Sequence, residues 1–245
     1  MIEQTVEIGA RDGATTTFIV HPERHGPHPV VLFFMDAPGI REELRDMARR
    51  IATAGYYVML PNLYYRRGVL ELADLPKLPE AEAGARMFEL MGSISIAKVM
   101  EDGDALLNFA DRDPAAGKGP VGTVGYCING QYAINFAARY PDRVAAAASI
   151  YGVQLVTDRP DSPHLAAQKA KAEIYVACAE HDAYAPTKMV QALDASLKSK
   201  ANAEVELYPG VHHGFAFPQR GAVYNKPAAE RHWERLFALW GRTLG

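Results

Sequence analysis

This chain of 245 residues has little of several things, and each scarcity removes a class of function. It has two cysteines, Cys127 and Cys178, in very different surroundings, which argues against a disulfide framework and for a reducing compartment. No apolar run approaches the ~20 residues that span a bilayer. The opening residues Met1–Glu7 carry acids and no apolar segment of the signal-peptide kind, so a cytoplasmic location is the expectation. An excess of basic residues is missing too. With 26 Lys and Arg against 29 Asp and Glu the formal charge is −3, which makes no electrostatic case for nucleic acid or an anionic membrane as a partner. No Cys or His pair has zinc-ligand spacing, and Glu180-His181-Asp182 alone is no metal site. Gly117, Gly119 and Gly122 lack the Lys-Ser/Thr ending of a phosphate loop. Internal repeats, low-complexity tracts and domain-scale linkers are absent as well.

What is there is ordinary globular material, 49% hydrophobic, of a length that suits one large α/β domain over 1–245. Thr5–Ile8 and Thr15–Val20 alternate polar and apolar residues around Asp12-Gly13, the pattern of a hairpin. Pro29–Met35 is a continuous apolar run, expected as a central strand buried on both faces. Leu44, Met47, Ala48 and Ile51 then form one helical stripe, closed by Gly55 before a strand at Tyr57–Leu60. Residues 62–80 read as irregular, and helical patterns follow at 80–91 and 94–110. Further strands are expected at Val121–Gly125, Val144–Tyr151, Glu173–Ala179 and Glu204–Tyr208, with helices at Gln131–Tyr140, Thr187–Leu197 and Lys226–Trp240. The stretch 152–168, broken by Pro160 and Pro163, is expected as a loop. Strands alternating with helices after an opening hairpin predict a mainly parallel sheet of about seven or eight strands, wrapped on both faces. Ligands of such sheets bind outside the carboxyl ends of the strands.

At that end the sequence places one unusual segment, Val121-Gly-Thr-Val-Gly-Tyr-Cys-Ile-Asn-Gly130. A strand, a tight turn with Cys127 at its apex, and a helix make the pattern of a nucleophile elbow. A thiol there is exposed and sits beside the N–H groups of a helix start, which favour negative charge. The competing reading is a buried cysteine in an ordinary Gly-rich turn. Asn129 stands where an elbow commonly has glycine, at a crowded position.

A cysteine nucleophile needs a base and a group to orient that base. At an ordinary pKa near 8.5 only about 3% of a thiol is ionised at neutral pH. Downstream, the strand ending near Ala179 delivers Asp182 and the strand ending near Tyr208 delivers His213. Nucleophile, acid, histidine is the chain order of α/β-hydrolases. Asp182 also reads as a solvated turn or helix cap before Ala185-Pro186. His213 is preferred over His212 because Gly214 and Phe215 follow it. His181, His232 and the histidines near the N-terminus read as surface residues, and Cys178 as a small buried hydrophobe.

Gly125-Tyr126-Cys127, Ala179-Glu180-His181-Asp182, His213-Gly214-Phe215 and the tail Ala229-Glu230-Arg231-His232-Trp233 together resemble the dienelactone hydrolase family, from about Pro29 to the end. The resemblance implies an α/β-hydrolase with a Cys127–His213–Asp182 triad, no cofactor, and a small ester or lactone as substrate, acting as monomer or homodimer. It assigns the oxyanion to the backbone N–H groups of Ile128 and Ala37. The family's first-loop Glu, which pairs with the cysteine, corresponds here to Asp36, which equally reads as a strand end that caps a turn. An Arg that clamps the lactone carboxylate in the family corresponds to Phe217, and the second clamp to Arg86, which equally reads as an exposed helix residue. Tyr151 matches a pocket tyrosine or is a core residue. Losing half of a charge-assisted clamp points to a less anionic or larger ester. Besides a lactone hydrolase, a broader carboxylesterase or thioesterase and a catalytically idle binding fold stay open.

Overall fold

The alternating residues around Asp12-Gly13 do pair. In a computed structural model, which describes residues 1–72 and 77–245, β1 (Ile2–Ala10) and β2 (Gly13–His21) form an antiparallel hairpin, with Ala10 opposite Gly13. The chain divides into two compact units, Met1–Lys118 and Gly119–Gly245. In the first, β2 runs antiparallel to β4 (Tyr57–Pro61), which lies parallel to the apolar β3 (His28–Phe34). Helix α1 (Glu42–Thr53) buries Leu44, Met47, Ala48 and Ile51 as its periodicity demands. Helix α2 (Glu80–Ser93) runs two residues past its expected end, α3 (Ile96–Arg112) starts and ends two residues later than expected, and Ser95 Oγ caps α3 by accepting from Lys98 N at 3.3 Å. The irregular stretch before them is pinned by Arg66, which donates to Asp12 Oδ2 at 2.7 Å and to the buried Asp102 Oδ2 at 2.9 Å. The part of that stretch at 73–76 lies outside the described residues.

The second unit is entirely parallel in its ladders. Strand β5 (Ala116–Tyr126), which starts at the end of the first unit, pairs with β6 (Val144–Ile150), β6 with β7 (Glu173–His181), and β7 with β8 (Ala203–His212). These connect through α4 (Gly130–Arg139), α5 (Pro163–Lys169) and α6 (Thr187–Leu197), and α7 (Lys226–Thr243) closes the chain. Eight strands are thus present among the described residues, and helices alternate with them after the hairpin.

Two expectations need correction. The expected loop at 152–168 contains α5: Pro163 stands in its first turn, where a missing N–H costs no helical bond. The buried histidines are the second correction. His21, His28 and His232 are inside, because each ring finds a carbonyl partner: His21 Nδ1 and His28 Nε2 reach Pro22 O at 2.8 and 3.1 Å, and His232 Nδ1 reaches Ala229 O. No helix among the described residues is long and apolar enough to cross a membrane.

Candidate active site

Parallel ladders put the carboxyl ends of β5 to β8 on one side, and the register carries the site residues with them. Cys127, Tyr151, Asp182 and His213 are each the first residue after their strand. Tyr126 pairs with Ile150, Ile150 with Ala177, and His181 with His212, so the four strand ends are neighbours in turn.

Cys127 opens a single 3-10 turn that leads into α4, with φ at +57°. A non-glycine residue in the left-handed region is the mark of a sharp elbow, and such strain persists only where the surroundings enforce it. The enforcement is steric. A Cβ at Gly125 would lie 2.2 Å from Asn129 O, and one at Gly130 would lie 2.2 Å from Ser149 Oγ. The crowding expected at Asn129 therefore falls on its neighbour Gly130, while Asn129 sits buried with ordinary right-handed backbone angles of −87° and −2°.

Asp182 serves two masters. Its Oδ1 accepts the backbone N–H groups of Tyr184 at 2.9 Å and Ala185 at 3.1 Å, an Asx turn, while Oδ2 accepts from His213 Nδ1 at 2.7 Å. Because a carboxylate only accepts, Nδ1 carries the proton, and Nε2 is the ring's other face. The Cys127 side chain acts on the same ring. Burial disfavours a charged His213 ring, but Asp182 and Cys127, with their negative charge, outweigh it and push the ring up to about 9.

Two tyrosines border that imidazole. The buried Tyr151, with φ at +39°, sets its ring edge-on at 4.9 Å, and Tyr184, 66% exposed, does so at 5.1 Å. Phe217 is fully buried, 5.3 Å from the Tyr126 ring, and the Arg220 guanidinium lies 5.3 Å from its centroid. Arg220 also runs along Gly214, where a Cβ would meet its Cδ at 3.0 Å. His212 is exposed, and Cys178 is buried, its thiol pushed up to about 12 by burial and then by the charges of Asp182 and Asp194.

The remaining expected site residues belong to the first unit. Asp36, fully buried, places its two oxygens on Arg41 Nη1 at 2.5 Å and Nη2 at 3.1 Å, and its carbonyl closes a turn to Gly39 N. The Ala37 carbonyl accepts from Tyr64 Oη at 2.7 Å. Arg86 lies on α2, 39% exposed, and donates to Glu89 at 2.6 Å. Among the described residues no group of three or more His, Cys, Asp and Glu side chains could hold a metal ion.

The sequence reading missed Tyr184, although its place two residues after Asp182 was a usable signal. It also missed the contact of Tyr126 Oη with His232 Nε2 at 3.1 Å. Position 232 falls on the apolar stripe of α7 with Ala229, Trp233 and Leu236, which could have betrayed it.

The family model for the dienelactone hydrolase family matches residues 15–244. The chain belongs to this family of carboxylic-ester hydrolases. A protein of Synechocystis sp. named "Putative carboxymethylenebutenolidase" is 28% identical over 93% of this chain and 91% of its own. One of the same name from Methylorubrum extorquens is 27% identical over 100% of this chain and 82% of its own. Among solved structures, a "Putative Dienelactone Hydrolase" of Klebsiella pneumoniae superposes with a TM-score of 0.81 at 24% identity, covering 98% of each chain. That likeness gives this dienelactone hydrolase relative the α/β-hydrolase fold.

Proposed function

We propose that this member of the family is a cysteine-dependent hydrolase of small esters or lactones, with Cys127 as nucleophile, His213 as base and Asp182 as its orienting acid. The observation that carries the reading is the His213–Asp182 contact, with Nδ1 of the imidazole committed to the carboxylate at 2.7 Å and the ring raised by both Asp182 and Cys127. Supporting it, each member follows directly on a strand end, and the nucleophile sits on a strained elbow.

In this mechanism His213 Nε2 holds the proton given up by Cys127, as its raised affinity for a proton favours, while the Cys127 sulfur bonds to the ester carbonyl carbon. The N–H group of Ile128 is assigned to the resulting oxyanion, where such a donor is worth roughly 2.7–4 kcal/mol. The C–O bond to the leaving group then breaks, His213 returns the proton to the alkoxide, and a thioester remains. Water, deprotonated by the same imidazole, attacks the thioester carbonyl and releases the acid and the thiol. Asp182 keeps the tautomer fixed throughout. Phe217, at the position of a clamping cation, brings no charge, which favours a less anionic or larger ester.

The test is hydrolysis of p-nitrophenyl esters and a panel of neutral and anionic lactones by wild type and Cys127→Ala. The reading expects loss of turnover in the variant, and equal rates sink it. Iodoacetamide gives a second arm: Cys127 is expected to alkylate in the folded protein, and Cys178 only after unfolding.

A further inference from the structure

A buried polar pair that the proposed reaction does not use lies directly behind the nucleophile. Tyr126 is the last residue of β5 and precedes Cys127; His232 lies on α7, and both are fully buried. His232 Nδ1 meets the carbonyl oxygen of Ala229, which only accepts, so Nδ1 bears the proton. In the tautomer with the proton on Nδ1, Nε2 accepts from Tyr126 Oη at 3.1 Å. This one contact ties the elbow to a helix 106 positions later in the chain.

The rings around it extend the connection to the base. Tyr126 meets His232 edge-on at 5.9 Å and Tyr151 at 5.8 Å, and Tyr151 in turn borders His213 at 4.9 Å. Cys127 itself holds φ at +57°, a conformation that the surroundings must over-determine. Sterics at Gly125 and Gly130 bar the turn from closing further, and the ladder to Ile150 fixes the register of the strand end. The Tyr126–His232 hydrogen bond adds a directed side-chain tether on the residue before Cys127.

We infer that Tyr126 and His232 are a positioning pair for Cys127, holding the last residue of β5 so that the sulfur stays in line with His213. This rests on the cysteine-hydrolase reading above. The pair touches no substrate and transfers no proton; it sets where the nucleophile stands. With thioester formation as the slow step, a misplaced nucleophile lowers kcat and leaves KM alone, since substrate capture is untouched.

The test uses Y126F, H232Q, H232F and the double variant Y126F/H232F, each assayed for p-nitrophenyl ester hydrolysis, iodoacetamide alkylation of Cys127 and thermal midpoint. Y126F is expected to lower kcat and the alkylation rate together by about five-fold with KM unchanged, the scale of one hydrogen bond. H232Q, which can still present an acceptor, retains more activity than H232F. In the H232F background Y126F causes no further loss. The double variant, with both polar groups gone, recovers its thermal midpoint while kcat stays low. A wholly structural pair would instead return kcat along with stability. That outcome, or full kcat and alkylation in Y126F, overturns the inference; should H232F not fold, Y126F, which lacks one oxygen only, decides it. Equal activity of Cys127→Ala and wild type would sink the hydrolase reading, whereas normal turnover in Y126F sinks only the positioning role.

Discussion

Asp182 and His213 are joined at 2.7 Å through Oδ2 and Nδ1, while the other oxygen of the same carboxylate holds two backbone N–H groups of the turn that carries it. The acid is therefore both orienter and turn former, and the two roles separate by substitution. Asp182→Asn keeps an oxygen for the Tyr184 and Ala185 N–H groups but turns an amide toward Nδ1, favouring the wrong tautomer. Turnover is expected to fall by roughly 10²–10⁴-fold with little change in thermal midpoint. Asp182→Ala is expected to lose a similar factor and, in addition, about 1–2 kcal/mol of stability from the vanished turn bonds. Kinetics and urea melts on the two variants check this, and a melt of Asp182→Asn as poor as that of Asp182→Ala would contradict it.

The raised His213 ring gives a pH dependence of defined sign. Its pKa lies above the ordinary 6.5, at about 9, so the stabilisation carried by the charged ring is whole below pH 6.5 and is lost as pH climbs through 9. The difference corresponds to about 3 kcal/mol at most. Wild type is expected to lose thermal stability between these pH values by more than His213→Gln does. Cys127 is one of the groups that raise the ring, so Cys127→Ala is expected to lower it, which an NMR titration of the His213 ring reads directly. An unchanged ring titration in that variant would remove the influence of Cys127 on the ring from the account.

Local rules made most of this fold readable before any coordinates. The apolar run into β3, the α1 stripe and the hairpin at Asp12-Gly13 are decided by neighbours a few residues apart, and they stand where periodicity puts them. Pro163 misled because a proline was taken as a breaker, when at a helix start it is neutral. His232 misled because residue type outweighed position: its neighbours on the α7 stripe are all buried. In the candidate site, the contact of Asp182 with His213 was legible because each follows a strand of its own. The pairing of Tyr126 with His232 was not, since nothing local couples residues 106 apart.

The elbow offers a test of its steric basis. Ser149 Oγ is buried without a hydrogen-bond partner among the described residues, and hypothetical Cβ atoms at Gly130 and Gly152 would lie 2.2 and 2.1 Å from it. Gly130→Ala is thus expected to destabilise by about 1–3 kcal/mol as an overpacked site. Ser149→Ala removes an unsatisfied hydroxyl and is expected to be neutral or slightly stabilising. Combined, the pair is expected to recover part of the loss, because the clash partner has gone, although the Ser149 Cβ at 3.2 Å and the Gly152 Cα at 3.0 Å remain. Strict additivity in this double-mutant cycle would show that Ser149 is not what excludes a side chain at Gly130.

Arg41 carries the last prediction, since two buried carboxylates depend on it. Its guanidinium meets both oxygens of Asp36, at 2.5 and 3.1 Å, and Glu43 Oε2 through Nη2 at 2.8 Å and Nε at 3.1 Å. Burial works against the Arg41 charge, but the two carboxylates outweigh it and hold the group firmly protonated. Removing one partner of a buried ion cluster costs more than the cluster contributes, because a charge is left without compensation. Arg41→Met is therefore expected to lose about 3–5 kcal/mol in urea unfolding. Arg41→Lys keeps the charge but not the planar fork that engages two carboxylates at once, so it is expected to fall between the two. Pairing Arg41→Met with Asp36→Leu takes away one of the two carboxylates that Arg41 meets, and a partial return of stability is expected. A loss below about 1 kcal/mol in Arg41→Met would mean that water already reaches these carboxylates, in the range of an exposed pair.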